Sequence, residues 1–134
     1  MRWQSLELST DRRIQILDVT ARVAEMCRRA GVRDGLAVIV CEHTTAGVCV
    51  NEAEPSLLAD LEAWLERLVP RAAAYAHNRI DDNADAHLRA ILLGHSVAVP
   101  VEGSAPVLGT WQRVLFVELD GPRTRRLRVA VVGG

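Results

Sequence analysis

Apolar and polar positions alternate over residues 3–8 and again over 13–17, the period-two signature of two half-buried strands. The polar stretch 9–12 between them predicts a hairpin. From Thr20, whose hydroxyl suits a helix cap, Val23, Ala24, Met26, Cys27 and Ala30 recur at helical spacing as far as Gly31, a good terminator. Residues 36–41 form a continuous apolar run with β-branched members, which predicts a buried strand, and 47–50 predicts a second after the polar connection Glu42-His43-Thr44-Thr45. Pro55 fits the first turn of a helix that carries Leu57, Leu58, Leu61, Trp64, Leu65 and Leu68 on one face until Pro70 forbids continuation. Asp82 or Asn83 is placed to cap a third helix with apolar residues Ala84, Leu88, Ile91 and Leu92, closed by Gly94. Strands over 96–101, 113–119 and 125–132 complete the chain. Strands interrupted by separate helices, with antiparallel pairs, predict an α+β fold rather than a doubly wound sheet.

Length and composition agree with that pattern. A chain of 134 residues and 14.7 kDa, 49% hydrophobic and 25% charged, is expected to form one domain over 1–134 around one core, with neither metal nor disulfide needed merely to fold. The formal charge is −1, and all 16 basic residues are arginine. That balance excludes a dominant nucleic-acid footprint, and the lack of lysine excludes a Schiff-base mechanism. Arg123, Arg125, Arg126 and Arg128 cluster locally and read as a solvated strand edge. No apolar run is long enough to cross a bilayer, and residues 1–11 lack the apolar segment of a signal peptide, so a cytoplasmic protein without membrane contact is expected. Cys27, Cys41 and Cys49 sit in apolar patterns and suit reduced, buried thiols.

Candidate chemistry rests on histidines. His43 stands between an apolar strand and Thr44-Thr45, His87 lies in the third helix with apolar Ala84 and Ile91 at i−3 and i+4, and His77 precedes it in an irregular segment. Helix position predicts that the His87 ring points inward. Three neutral imidazoles from three elements have the donor types for a zinc-like ion with a position left open; a loop histidine and a satisfied core histidine are the plainer readings. Asp81, Asp82 and Asp85 could orient such a site or simply favour the helix dipole. In the strand 113–119, Val114, Phe116 and Glu118 share a face. A carboxylate among apolar neighbours is a general-base candidate with a raised pKa unless paired, and the alternative for Glu118 is an ion pair with a C-terminal arginine. Glu52 follows Asn51 ahead of the second helix. Gly109-Thr110-Trp111-Gln112 offers a small-residue turn with an aromatic platform and an amide.

Taken in order, His43-Thr44-Thr45-Ala46-Gly47, Asn51-Glu52, the Trp64-Leu65 helix ending at Leu68-Val69-Pro70, Tyr75-x-His77, Asn83-Ala84-x-Ala86-His87-Leu88, Leu93-Gly94, Gly109-Thr110-Trp111-Gln112 and Glu118-x-Asp120-Gly121-Pro122-Arg123 resemble the secondary thiamine-phosphate synthase family, the YjbQ-like proteins, over essentially the whole chain. The resemblance implies a compact α+β fold built around a β-sandwich of mainly antiparallel strands with about three helices, assembled as a homotrimer. It implies His43, His77 and His87 as ligands of a divalent metal, zinc-like by donor type with magnesium as the alternative, while His95 matches no motif histidine. It also implies a weak or auxiliary capacity to make thiamine phosphate from two phosphorylated small molecules. Glu118, Glu52 and Thr44 are then the catalytic candidates, and Thr45, Gln112, Trp111 and Arg123 the substrate-binding ones. A trimeric metal- or small-anion-binding protein without turnover and a metal-dependent hydrolase use the same side chains. Two departures stand out: only Asp81 and Asp82 supply acids between His77 and Asn83, and Pro106 interrupts the approach to Gly109.

Overall fold

Two antiparallel sheets face one another because the chain sends its first two strands to different partners. In the computed structural model, which describes residues 2–134, β1 (Trp3–Ser9) pairs with the last strand β8 (Thr124–Gly133), and β2 (Gln15–Asp18) pairs with β7 (Arg113–Glu118). The expected hairpin of the first two strands is therefore not formed. The backbone of the segment between them is satisfied elsewhere: the Thr10 N–H donates to Arg123 O at 2.9 Å and Arg13 O accepts from the Gly121 N–H at 3.0 Å, so the chain crosses between sheets against the β7–β8 connection.

The remaining elements are α1 (Thr20–Ala30), β3 (Gly35–Cys41), β4 (Ala46–Asn51), α2 (Pro55–Leu68), a 3₁₀ turn (Ala76–Arg79), α3 (Ala84–Leu93), β5 (Ser96–Glu102) and the two-residue β6 (Ala105–Pro106), a strand the apolar pattern does not signal. One sheet runs β1-β8-β3-β5-β6 and the other β2-β7-β4. Thr20 is the first residue of α1 rather than its cap; the Asp18 carboxylate instead accepts from the Thr20 N–H at 3.0 Å. Gly31 ends the helix in the left-handed conformation expected of it.

Burial explains the layering. Leu6, Ala37, Ile39, Val99, Leu127 and Val129 of the large sheet pack against Val48, Val114 and Phe116 of the small one, with Val23, Met26 and Cys27 of α1 closing one end. The opposite face of the small sheet carries Val117 and Leu119, which bury Leu65 of α2 and Ala86 of α3. β7 is covered on both faces, so it is buried from Val114 to Glu118 and shows no polar face. β8 lies between β1 and β3, so its arginines do not form a sheet edge: Arg125 is buried, while Arg128 stacks over Trp3 at 5.1 Å on the outer face.

The third helix reverses its expected polarity. Its buried positions are Ala84, Asp85, Ala86 and Arg89, whereas Leu88, Ile91 and Leu92 are exposed, Ile91 at 76%. Charge pairing accounts for this. Asp85 receives both Nη atoms of Arg13 at 2.9 and 3.1 Å and lies 3.0 Å from Arg89 Nη1, while Arg89 Nε and Nη2 donate to Val69 O at 3.0 and 2.8 Å. At the end of α3 a Cβ on Gly47 would sit 3.0 Å from both Gly94 O and Leu93 Cβ, so a residue without a side chain lets the helix terminus approach β4.

Candidate functional site

His43 lies in the β3–β4 connection and is held by the large sheet. Its Nε2 accepts from the Arg126 N–H of β8 at 3.0 Å, which assigns the proton of the neutral ring to Nδ1. Burial, seconded by the positive charge of Arg125, keeps the His43 pKa below its ordinary value, so the ring is neutral around pH 7.

His77 and His87 meet edge to face, with ring centroids 4.9 Å apart. His77 Nε2 lies 3.0 Å from Asn83 Oδ1, and the Asn83 amide is oriented by donating from Nδ2 to Asp120 Oδ2 at 2.9 Å, so Nε2 carries the proton and Nδ1 keeps its lone pair. Asp120 is held in turn by Arg123 Nη2 at 3.0 Å. Asn83 thus serves His77 rather than capping α3; the Ala84 N–H at the helix start goes to Asn78 Oδ1 at 3.2 Å. His87 is half-buried at a rim rather than turned into the core, because the helix face that carries it also carries exposed Ile91.

His87 is shared by two hollows. One of about 480 Å³ contains Tyr75, His77 and Leu88, and the other, of about 400 Å³, contains His43, Thr44, Ile91 and His95. The structure therefore brings the three motif histidines to one side of the molecule and adds His95, which the sequence argument left outside. Its signal was the Leu93-Gly94 helix end, which delivers the following residue toward the β3–β4 connection: the Cys41 N–H donates to His95 O at 2.7 Å. Among the described residues no three of His, Cys, Asp and Glu are arranged to hold one ion. His77 and His87 are in ring contact, whereas His43 has committed Nε2 to Arg126.

The buried carboxylate of Glu118 is locked. Glu118, wholly buried, accepts from Arg125 Nε at 2.9 Å to Oε1 and 3.1 Å to Oε2, from Arg125 Nη2, from Thr10 Oγ1 at 2.8 Å and from the N–H groups of Leu119 and Asp120. Burial alone would raise its pKa, but these hydrogen bonds prevail and hold it below the ordinary carboxylate range. The structure thus shows the ion pair and not the raised-pKa alternative. Arg125 also reaches Thr45 Oγ1 at 2.9 Å, so Thr45 is buried and engaged while Thr44 stays exposed in the hollow.

The other candidates lie elsewhere. Across the β4–β7 pair Glu118 faces Ala46, near His43, whereas Arg113 faces Asn51. At ordinary strand rise the two ends of β7 are roughly 17 Å apart. Glu52, Trp111 and Gln112 belong to the far end: Trp111 is 70% exposed, and Gln112 Oε1 accepts from the Gly109 N–H at 2.8 Å to close its turn. Among the described residues no side chain of Asp81, Asp82 or Asp85 hydrogen-bonds a histidine, although the Asp81 N–H donates to His77 O at 3.0 Å; Asp82 is 3.5 Å from Arg71, and Asp85 is taken by Arg13 and Arg89. The three cysteines are free, with Cys27 and Cys41 buried and Cys49 partly so. No helix among the described residues is long and apolar enough to cross a membrane.

Comparison with known proteins places these features in context. The family described as "UPF0047 protein YjbQ-like" matches residues 4–134. A UPF0047 protein of Methanothermobacter thermautotrophicus is 48% identical over 130 residues, covering 97% of this chain and 91% of the relative, and one of Archaeoglobus fulgidus is 52% identical over 124 residues, covering 92% and 96%. Among solved structures, a hypothetical protein of Aeropyrum pernix K1 superposes with a TM-score of 0.96 at 44% identity over 100% of both chains. A YbjQ-like protein of unknown function from Sulfolobus solfataricus P2 superposes with a TM-score of 0.96 at 35% identity over 99% of this chain and 97% of that one.

Proposed function

The chain belongs to the YjbQ-like UPF0047 family, and from that premise we propose that its histidine cleft slowly joins 4-amino-2-methyl-5-(diphosphooxymethyl)pyrimidine to 4-methyl-5-(2-phosphooxyethyl)thiazole. The thiazole nitrogen attacks the pyrimidine methylene carbon, the carbon–oxygen bond to the diphosphate breaks, and pyrophosphate leaves with the bonding electrons. The observation that carries the reading is His87 standing between two hollows, one with His77 and the other with His43 and Thr44. Two adjoining spaces suit two substrates.

Each residue has a task within this reading. Asn83, fixed by Asp120, keeps the His77 lone pair on Nδ1. Thr44 donates its hydroxyl proton to a phosphate oxygen, and Arg123, paired with Asp120, supports the Asn83–His77 chain. Glu118 is a positioning residue that holds Arg125, which holds Thr45 beside Thr44. The residues fit a divalent, zinc-like ion in part: His77 and His87 would hold it, and His43 would join by releasing Arg126. When bound, such an ion supplies charge to the departing diphosphate. Exposed Leu88, Ile91 and Leu92 beside the cleft support a homotrimer in which neighbouring copies cover this face.

Capture of a phosphorylated ligand without turnover is favoured by one observation: both buried carboxylates, Glu118 and Asp85, are already neutralised by arginines, leaving imidazoles and a hydroxyl in the cleft. A discontinuous assay for thiamine phosphate on metal-replete protein separates the two. Product above the heat-inactivated control, reduced about 100-fold or more in His87→Ala, is the expected result. Folded protein that binds both phosphorylated compounds but forms no product with any of several divalent ions assigns the cleft to capture. Metal content should fall in His77→Ala and His87→Ala; content unchanged in both removes the metal.

A further inference from the structure

The far end of the β4–β7 pair carries another hollow that the histidine chemistry leaves unused. About 320 Å³ in volume, it opens between α2, the end of α3 and the small sheet, where Leu57, Leu61, Trp64 and Leu115 make an apolar wall and Glu52 and Asp60 are the charged residues. That volume is at the lower end of the range for small-molecule sites. Among the described residues no arginine or histidine lines it.

Among the described residues neither Glu52 nor Asp60 forms an ion pair, and no side-chain hydrogen bond to either carboxylate is present, although arginines elsewhere engage Glu118, Asp85, Asp18 and Glu62. Glu52 is nevertheless partly buried, with Val50 and Leu57 in the same wall. Asp60 is exposed, so the hollow has an apolar wall and two carboxylates without a counter-charge, a lining whose charge is complementary to a cation. Trp64, half-exposed in the same wall, is a residue type whose ring face attracts cations.

From this charge complementarity we propose that the hollow binds a small organic cation with an apolar body, such as a quaternary or protonated amine carrying an aromatic or branched alkyl group. The apolar body displaces water from Leu57, Leu61 and Leu115, and the positive centre sits between Glu52 and Asp60. An anion of the same size is rejected by the same two carboxylates. The site is separate from the histidine cleft, so it stands or falls independently of the reaction proposed there.

Saturation-transfer NMR and calorimetry with the intact protein test this, using benzyltrimethylammonium as the probe and 4-tert-butylbenzoate as an anion of similar size. Saturable binding of the cation alone is expected. Glu52→Gln should weaken it about threefold to fivefold, the scale of one solvent-accessible ion pair, and Glu52→Gln with Asp60→Asn should weaken it further. Circular dichroism confirms the fold of each variant, and Trp64→Phe reports the contribution of the ring. Equal binding of the anion, or unchanged affinity in the folded double variant, overturns the proposal. Failure of the cation to bind equally overturns it, and Trp64 emission shielded from acrylamide in a multimer, read in the Trp3→Phe, Trp111→Phe variant, then assigns this face to a second copy of the chain.

Discussion

The Glu118 carboxylate stays charged inside the protein because its lone pairs are met by Arg125, Thr10 and two backbone N–H groups. Burial pushes its pKa up, the hydrogen bonds pull it further down, and the folded-state value ends below that of the unfolded chain. A carboxylate depressed on folding contributes stability that is fully present above its unfolded pKa, about 4.3, and is lost as pH falls through the folded value. Glu118→Gln should therefore cost about 3–5 kcal/mol at pH 7, since Arg125 is left buried without a counter-charge. Urea unfolding of both proteins from pH 7 down to the acid limb checks this, with the gap expected to narrow below about pH 4. A constant gap across that range would contradict the assignment. The sequence presented both choices for this residue, since a strand face with Val114 and Phe116 demands that a carboxylate be either perturbed or paired. Which arginine lies opposite depends on how β7 and β8 are brought together across the two sheets, and no spacing in the chain states that.

At the scale of elements, α3 is the case in which hydrophobic periodicity points to the wrong face. Its apolar residues Leu88, Ile91 and Leu92 are exposed, while Asp85 and Arg89 are buried. The reason is that Arg13, from the chain crossing between the sheets, arrives beneath the helix and closes a three-residue charge cluster with Asp85 and Arg89. Asp85→Asn should then destabilise the fold by about 3–5 kcal/mol, because two guanidinium groups lose their common partner. Ile91→Ser, at a position with little to lose in the single chain, should change its stability by no more than about 0.5 kcal/mol. Chemical denaturation of the two variants, extrapolated to low protein concentration, gives the comparison. The opposite ranking would mean that the helix packs as its periodicity suggests. The Asn83 side chain belongs to the same lesson: its position just before the helix predicts a cap, yet Asp120 and His77 compete for its amide and win.

For the whole molecule, Leu88 and Ile91 of α3 line the histidine hollows, and Leu92 and Ile80, the latter at 87% exposure, are open to solvent in the single chain. A closed trimer covering them predicts a light-scattering mass three times the 14.7 kDa chain. Ile91→Glu should shift that mass toward one chain without lowering the helical signal, since the substitution adds charge only where a neighbour would pack. A wild-type protein that elutes and scatters as a single chain at micromolar concentration would leave the apolar face without a copy to cover it.

By itself the sequence determined the number, order and kind of the larger elements, because period-two and period-3.6 patterns, Pro55, Gly31 and Gly94 act locally and need no partner to be read. It also determined the chemical vocabulary: arginine as the only basic side chain apart from four histidines, and the His-Thr-Thr and Gly-Thr-Trp-Gln segments. Tertiary structure alone decided that β1 and β2 go to different sheets, that β7 is covered on both faces, that His95 joins His43 at one hollow, and that Glu52, Trp111 and Gln112 lie at the other end of the strands from the histidines. Strand partners are chosen by the burial of faces summed over the molecule, and the partners of buried charges by which guanidinium groups that packing brings within reach. Both are long-range outcomes, and residues as far apart as Arg13 and Asp85 carry no local mark of meeting.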